Sequence, residues 1–263
     1  MSAYNEKESY LKEAVKSILN QTFGNFEFII INDGSDRPYL QEMFSQFEKQ
    51  DERIKVYNNN INLGLTASLN KALALAKGKY IARIDSDDIA DSHRLGKQLE
   101  FMENNPSHAL CGSWSYFIDQ NGKIIGEKKS PIDYEKIKKR LVLFNFFTHS
   151  SLFFQRDIAI SMGGYSEYLK KAQDYDFILK ISAKYPIAII PEFLCSNRLH
   201  PESISSKSKK AQEWCAIKAR WNAIFKYGYP KIYFLKIIPS VFYFLFIPCF
   251  IEKFIFKLLR QKK

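Results

Sequence analysis

Apolar residues along the first hundred positions follow two alternating patterns. Within residues 6–21, Leu11, Ala14 and Ile18 fall three or four positions apart, which is the spacing of one face of a helix. The segment 26–31 is instead a short, almost continuous apolar run, which predicts a strand buried on both faces. The two patterns then recur, with strands predicted at 54–57 and 79–84 and helices at 64–77 and 94–105. This alternation predicts βαβ units on a mostly parallel central sheet flanked by helices, and therefore an α/β fold.

The second part of the chain has a less regular pattern. It predicts a hairpin around Asn121-Gly122, helices at 134–143 and 173–184, strands at 150–155 and 187–190, and a long basic helix at 205–227. The helix that begins at residue 6 should follow a strand, and only four residues precede it. We therefore expect either a truncated first strand or a true start that lies upstream.

Acidic residues follow two of the predicted strands. Asp33 comes after the strand at 26–31, and Asp85, Asp87 and Asp88 come after the strand at 79–84. Parallel sheets bind ligands beyond the carboxyl ends of their strands, so both turns are expected at one rim. Three carboxylates this close repel one another unless a cation joins them, and Mg²⁺ or Mn²⁺ with a bound diphosphate fits that need. The alternatives are a helix N-cap for the acidic cluster and an Asx turn for Asp33.

Several short motifs resemble those of family 2 glycosyltransferases in order and spacing. They are Tyr4-Asn5-Glu6, 17–23, Asn32-Asp33-Gly34-Ser35, Asn62-Leu63-Gly64-Leu65, 82–88, Gly163-Gly164-Tyr165, Gln173-Asp174-Tyr175-Asp176 and Arg198-Leu199-His200. The resemblance covers residues 1 to about 205. It implies a GT-A fold, with a nucleotide-binding half at 1–105 and an acceptor-binding half at 106–205. It also implies inverting sugar transfer from a nucleoside-diphosphate sugar.

The same resemblance implies roles for individual residues. By this resemblance, Asp33 would contact the base, and Ser2 and Tyr4 would line the nucleotide. Arg83 would face the diphosphate. Asp85 and Asp87 would form the Asp-x-Asp pair that meets ribose and metal, and Asp88 would share that role. Asp174 matches the catalytic base, although Gln173 replaces the frequent Glu before it. From its own surroundings Asp174 is equally an acidic residue in the first turn of a helix. Arg198 and His200 match a late loop over the diphosphate, where His200 can reach the metal, and His149 matches a segment near the acceptor.

Positive charge is concentrated at the C-terminal end. The chain has 263 residues, 46% of them hydrophobic, and its net charge is 39 − 28 = +11. Residues 226–263 hold eight basic residues and one acid, or +7, so the other 225 residues hold 31 − 27 = +4. The body is therefore not a nucleic-acid platform by charge alone. The four cysteines are far apart, which suggests neither a disulfide framework nor a zinc site.

The region 206–263 is predicted to be a basic helical tail that associates with the membrane. Its uncharged stretch at 237–251 is shorter than the roughly 20 residues needed to span a bilayer. Phe254, Leu258 and their neighbours then alternate with Lys253, Lys257 and Arg260, which is typical of an amphipathic helix on anionic lipid. A helix packed on the catalytic domain or a partner subunit, and a true span from about residue 233, are the alternatives. No secretory signal is visible, and we expect a cytoplasmic protein that is peripheral at the inner face of the membrane.

The prediction from sequence is a metal-dependent inverting glycosyltransferase. It would move a hexose or N-acetylhexosamine from a UDP-sugar to a glycan or lipid-linked oligosaccharide in bacterial surface polysaccharide synthesis, such as O-antigen, capsule or lipooligosaccharide. The alternative is a catalytically inactive GT-A module that binds nucleotide or glycan as a membrane-bound assembly partner. A dinucleotide-dependent oxidoreductase is disfavoured because no G-x-G-x-x-G follows a strand.

Overall fold

The structure, a computed structural model, describes residues 1–201 and 209–246. Its first part alternates strands and helices as the hydrophobic pattern predicts. The elements are β1 (Ser2–Ala3), α1 (Glu8–Leu19), β2 (Phe28–Asn32), α2 (Pro38–Gln50), β3 (Ile54–Asn58), α3 (Leu65–Leu75), β4 (Tyr80–Ala82), β5 (Ile89–Ala90) and α4 (Arg94–Asn104). Helix α1 buries the stripe formed by Leu11, Ala14, Val15 and Ile18, which explains why this segment is helical.

The second part combines long strands with helices on their flanks. Its elements are β6 (Leu110–Ile118), β7 (Ile124–Lys128), α5 (Tyr134–Leu141), a 3-10 turn (His149–Ser151), β8 (Phe153–Gln155), α6 (Arg156–Ser161), α7 (Gln173–Ser182), β9 (Ile187–Arg198), α8 (Lys209–Phe225) and α9 (Tyr233–Phe246). Helix α2 and strand β5 were not predicted from the sequence, and β9 runs well beyond the predicted end at residue 190.

The strands form two sheets. Strands β1, β2 and β3 pair in parallel, in that order. The other sheet has the order β4-β8-β6-β9-β5, and β7 pairs with the end of β6 that β8 leaves unpaired. The longest ladders, β2 with β3 and β6 with β9, are parallel, whereas the shorter pairs in the second sheet are antiparallel. The α/β fold agrees with the prediction, and three of the seven described strand pairs, including the two longest, are parallel.

The first strand is short, as the sequence suggests. It spans two residues, with Ser2 opposite Ile31 and Ala3 opposite Asn32. Beside it, a cavity of about 720 Å³ separates β2 from β4. Apolar side chains dominate its walls, among them Met1, Phe28, Ile29, Leu73, Tyr80 and Phe153.

Helices α8 and α9 pack on the second part of the fold. Ile217, Ala223, Ile224 and Ile237 are buried in the same hydrophobic core as the residues of α7. The described part of the predicted tail is therefore joined to the second part of the fold through a packed core. Within 1–201 and 209–246, no helix is both long and apolar enough to cross a bilayer. The amphipathic segment predicted beyond residue 250 lies outside the described residues.

Candidate active site

The acidic turn after β4 brings its three carboxylates together. One oxygen from each of Asp85, Asp87 and Asp88 lies within 4.8 Å of the others. The Arg83 guanidinium, which is 4% exposed, donates two hydrogen bonds to Asp85. This ion pair satisfies much of the Asp85 charge. Burial disfavours the charged form of both groups, but their mutual attraction prevails, so the pKa of Arg83 is raised and the pKa of Asp85 is lowered.

Asp88 is completely buried behind the turn. Its carboxylate accepts hydrogen bonds from Ser150 Oγ, from Asn197 Nδ2 at 2.8 Å and from the Arg198 main-chain amide at 2.8 Å. Burial, together with the charges of Asp87 and Asp85, raises the pKa of Asp88 to about 7. Unbalanced negative charge of this kind is the situation that a divalent cation relieves.

His200 faces the turn from the chain that follows β9. Its Nε2 lies 2.9 Å from Asp87 Oδ2, and this hydrogen bond raises the pKa of His200 against the effect of burial. Its Nδ1 is buried and has no hydrogen-bond partner among the described residues. The carboxylate of Glu6 contacts the same turn, because it accepts a hydrogen bond from Ser86 at 3.0 Å. Burial, together with the charge of Asp87, raises the pKa of Glu6.

These donor atoms fit a hard divalent cation. Carboxylate oxygens and an imidazole nitrogen are ligands that Mn²⁺ and Mg²⁺ accept in proteins. The three carboxylates are clustered and partly or fully buried, and Nε2 of His200 is adjacent to one of them. Asp85, Asp87, Asp88 and His200 are therefore the residues that could hold such an ion.

The Arg198 side chain is enclosed beneath the same turn. Its guanidinium donates to the Asp87 carbonyl at 2.9 Å and to Glu13 at 2.5 Å, and its plane lies 4.4 Å from the ring centre of Tyr10. The side chain is 2% exposed. The structure thus places Arg198 as a support of the acidic turn. The diphosphate contact predicted for it stays a prediction, and it would require these hydrogen bonds to open.

Asp33 organises the loop between β3 and α3. Its carboxylate accepts hydrogen bonds from Asn59 Nδ2 at 2.8 Å and from the main-chain amides of Leu63 and Gly64 at 2.9 Å each. Asp33 is 1% exposed. Ser2 and Tyr4 lie close by at the end of β1, where Ser2 is half-buried and Tyr4 is exposed. The nucleotide contacts predicted for these three residues stay predictions.

Asp174 lies in the first turn of α7, far along the chain from the acidic turn. Asn145 Nδ2 donates a hydrogen bond to one of its carboxylate oxygens at 3.1 Å. The side chain is partly exposed, unlike its neighbours Gln173 and Tyr175, which are buried. Asp174 therefore presents a carboxylate at the edge of the core, where a reacting group can approach it.

His149 belongs to the segment 145–150, in which Asn145 contacts Asp174 and Ser150 contacts the acidic turn. Its Nε2 lies 3.2 Å from the Tyr165 hydroxyl. Burial and the charge of Arg83 lower the pKa of His149 to about 4, while Asp174 and Asp85 both act in the opposite direction. The imidazole is therefore neutral at pH 7. Asn145 donates to Asp174 at 3.1 Å, and Ser150, five residues later, donates to Asp88 and accepts from the Asp85 amide. One short segment thus contacts both Asp174 and the acidic turn.

Sequence reasoning missed two residues at the centre of this region. Ser150 Oγ donates to Asp88 and accepts from the Asp85 amide and from Arg83, both at 3.0 Å. Tyr165 contacts His149 and stacks on Phe177 of α7, with 4.4 Å between ring centres. Tyr165 belongs to a motif recognised in the sequence. Ser150 had no local signal apart from its position beside His149.

The α/β fold and the acidic turn after β4 agree with the GT-A glycosyltransferase class that the sequence motifs resemble. Residues 1–162 match the family described as glycosyl transferase family 2. The chain belongs to this family.

Two relatives match most of the chain. An uncharacterized glycosyltransferase of Methanocaldococcus jannaschii is 39% identical over 271 aligned positions, which cover 100% of this chain and 93% of the relative. The O-antigen biosynthesis glycosyltransferase WbnJ of Escherichia coli is 34% identical, over 81% of this chain and 84% of the relative.

Solved structures share the fold at low sequence identity. Staphylococcus aureus TarS in complex with UDP-GlcNAc has a TM-score of 0.70 and 18% identity, over 88% of this chain and 67% of that one. The mannosyltransferase PcManGT of Pyrobaculum calidifontis, in complex with GDP-Man and Mn²⁺, has a TM-score of 0.67 and 14% identity, over 94% and 68%. The predicted GT-A fold is confirmed.

Proposed function

We propose that the protein transfers a hexose or N-acetylhexosamine from a UDP-sugar to a hydroxyl group of a glycan or lipid-linked glycan, with inversion at the anomeric carbon. The observation that carries this proposal is one short segment that contacts both acidic regions: Asn145 donates a hydrogen bond to Asp174, and Ser150, five residues later, donates one to Asp88. TarS, crystallised with UDP-GlcNAc, and WbnJ, an O-antigen enzyme, support the choice of donor and acceptor classes.

In this mechanism Asp174 is the general base. Its carboxylate accepts the proton of the acceptor hydroxyl while that oxygen attacks the anomeric carbon, and the bond to the nucleoside diphosphate breaks. Asn145 fixes one carboxylate oxygen of Asp174, and the charge of Asp174 acts on the buried Lys128 ammonium. A positioned base of this kind is worth about 10²–10⁴-fold in rate. A single carboxylate in this role, without a second one acting as nucleophile, gives inversion.

The acidic turn is the site for the leaving group. Asp85, Asp87, Asp88 and His200 would hold Mn²⁺ or Mg²⁺, which neutralises charge on the departing diphosphate when it is bound. Arg83 lies directly behind Asp85 and fixes its orientation. Ser2, Tyr4 and Asp33 would receive the nucleoside at the ends of β1 and β2, and His149 would face the acceptor. Arg83 and Arg198 would reach the diphosphate only by opening their bonds to Asp85 and to Glu13.

Donor binding tests this function directly. The thermal unfolding of the full chain would be followed with UDP-glucose, UDP-galactose, UDP-GlcNAc, UDP-GalNAc and GDP-mannose, each with and without Mn²⁺. We expect one UDP-sugar to raise Tm in a Mn²⁺-dependent manner, and UDP to be released from it when a glycan acceptor is added. The absence of stabilisation by every nucleotide sugar would contradict the proposal.

The same assay separates the inactive alternative. A nucleotide-binding module without catalysis would be stabilised by a UDP-sugar and would release no UDP with any acceptor. The buried carboxylate cluster and the partly exposed Asp174 favour the enzyme, because an inactive module gains nothing from a carboxylate held at the rim of the site.

We also propose that the enzyme is peripheral at the inner face of the cell membrane. Helices α8 and α9 expose a group of aromatic side chains that contact one another, with ring centres of Trp221 and Phe225 4.4 Å apart and those of Trp221 and Phe234 5.9 Å apart. The same helices and the turn between them carry exposed lysines, namely Lys218, Lys226, Lys231 and Lys236. Aromatic residues bordered by cations suit an interface with anionic lipid.

Vesicle sedimentation tests this attachment. The full chain should bind vesicles that contain phosphatidylglycerol and should bind much less to phosphatidylcholine vesicles or at high salt. Replacing Phe234 and Leu235 by serine should weaken binding. The same change at Ile124 and Ile125, which are similarly exposed on β7, should not. Equal losses in the two double variants, or unchanged binding in both, would overturn the assignment of this surface.

A further inference from the structure

Helix α7 carries a second carboxylate two residues after the candidate base, and this one faces the core. Asp176 is completely buried. Its carboxylate accepts hydrogen bonds from Ser166 Oγ at 2.6 Å, from Asn222 Nδ2 at 2.9 Å and from the Tyr227 hydroxyl at 2.9 and 3.0 Å. A buried carboxylate is costly unless it is paired in this way, so these contacts hold Asp176 in one place.

The donors to Asp176 come from separate parts of the chain. Ser166 belongs to the loop before α7, Asn222 lies in the last turns of α8, and Tyr227 follows that helix. One turn further along α7, the buried Lys180 ammonium donates to the Gly164 carbonyl at 2.8 Å and acts on Asp176 as a nearby positive charge. Asp176 therefore joins the beginning of α7 to α8 and to the loop that precedes α7.

The beginning of α7 has few side-chain hydrogen bonds apart from those of Asp176, one of them from the buried Tyr175 hydroxyl to the Leu141 carbonyl at 2.5 Å. The residue before it, Ala172, adopts a left-handed conformation with φ 52° and provides no side-chain cap. Asp174 itself has the single hydrogen bond from Asn145 at 3.1 Å. A strained entry and a single contact do not fix a carboxylate to the tolerance that proton transfer requires. The hydrogen bonds that Asp176 accepts from three donors, two residues on, add to the Tyr175 contact and tie this turn to α8.

We propose that Asp176, Asn222 and Tyr227 are positioning residues that set the first turn of α7 and, through it, the carboxylate of Asp174. The inference rests on the proposed role of Asp174 as the base. By this proposal the end of α8 helps to place the carboxylate of Asp174, and the three residues act without contacting a reactant themselves.

A matched pair of tyrosines tests the proposal. Tyr229, two residues after Tyr227, also contacts α7, but at the opposite end, where its hydroxyl lies 2.5 Å from Ser182 Oγ and 3.3 Å from the Leu179 carbonyl. Tyr227→Phe and Tyr229→Phe each remove one hydroxyl that bonds α7. The first loosens the turn that carries Asp174, and the second loosens the turn farthest from it.

Turnover and hydrogen exchange are measured on the full chain with the UDP-sugar that gives the largest Tm increase in the presence of Mn²⁺. Tyr227→Phe should lower kcat by about tenfold to a hundredfold with an unchanged donor KM, and should accelerate exchange of the amides of residues 176–179. Tyr229→Phe should lower Tm by a similar amount, keep kcat within about twofold, and accelerate exchange only at 180–183.

Equal kcat values in the two variants, or losses of kcat that follow Tm alone, would overturn the positioning role. Asp176→Asn, which keeps the size of the side chain and removes its charge, should resemble Tyr227→Phe in kcat and in exchange. Should Asp174→Asn keep full turnover, the assignment of the base fails instead. The exchange pattern of the tyrosine pair would still decide whether Asp176 anchors the first turn of α7.

Discussion

The two carboxylate regions of the site are supported in opposite ways. In the acidic turn, Asp85 is paired with Arg83, and Asp88 accepts hydrogen bonds from three residues. Asp174, at the other end of the site, has one hydrogen bond from Asn145. The turn is held by bonds to its own carboxylates, whereas Asp174 depends on the placement of the helix that carries it.

This difference corresponds to the two chemical roles proposed for these regions. Charge on a departing diphosphate is best met by groups that are already fixed, because fixed groups need no reorganisation during the reaction. A base must instead leave an oxygen free to accept a proton, so its carboxylate cannot be enclosed by donors. Rigid bonding at the turn and indirect support at Asp174 are therefore both expected of a sugar transferase.

Removing the base should have the largest effect. Asp174→Asn should lower kcat by about 10²–10⁴-fold, because the amide cannot accept the acceptor proton. The dissociation constant of the donor, measured by calorimetry, should stay close to that of the unaltered protein. Asp157→Asn, at an exposed carboxylate on α6, is the control and should keep full turnover. Turnover by Asp174→Asn at the normal rate would exclude this residue as the base.

The acidic turn should respond in binding as well as in rate. Asp87→Ala removes the carboxylate that lies 2.9 Å from His200, and we expect the gain in donor affinity on adding Mn²⁺ to fall by about tenfold or more. The exposed Asp91, a few residues on, provides the control Asp91→Ala. Donor titrations with Mn²⁺ and with EDTA measure the effect. An unchanged response to EDTA in Asp87→Ala would count against a metal at this turn.

The free energy of unfolding should depend on pH through Lys128, whose pKa is affected by the charge of Asp174. Burial lowers the pKa of Lys128 from 10.5 to about 8, against the opposing charge of Asp174. Between about pH 8 and pH 10.5 the unfolded chain holds this proton more tightly, so the Lys128 contribution to stability rises with pH. It amounts to about 3 kcal/mol across that range.

Urea unfolding of the normal protein and Lys128→Met isolates this contribution. The variant should be the more stable of the two at pH 7, and its advantage should shrink as the pH approaches 10. A difference that stays constant over this range would indicate that Lys128 is not desolvated in the folded state.

The regular parts of the fold were accessible from sequence because their signals are local. Helix α2 had such a signal that was overlooked, since Leu40, Met43, Phe44 and Phe47 are buried at helical spacing and Pro38 occupies its first turn. The extension of β9 was not accessible. It passes Pro191, and its pairing with β6 shifts register around Trp114, so it depends on a distant strand.

The residues of the candidate site likewise divide into those that the sequence predicts and those whose surroundings only the structure shows. The cluster of Asp85, Asp87 and Asp88 was predictable because three acids within four residues follow a strand. The resemblance to a family singled out Asp174. Its placement near His149 depends on how distant segments pack, and no local pattern indicates it. The enclosure of Asp33 and Arg198 likewise came only from the structure.

Ser150→Ala has the smallest expected effect and tests whether hydrogen bonds hold the acidic turn in place. Ser150→Ala leaves the buried Asp88 carboxylate without one of its donors, which should lower the free energy of unfolding by about 1–3 kcal/mol. Ser151→Ala is the matched control, because this neighbouring hydroxyl is equally buried and donates only to the Thr148 carbonyl. Urea unfolding should give the larger loss for Ser150→Ala, and added Mn²⁺ should recover part of it if a cation compensates Asp88. Equal losses at the two serines would indicate that the acidic turn does not depend on Ser150 and would weaken the contrast with Asp174.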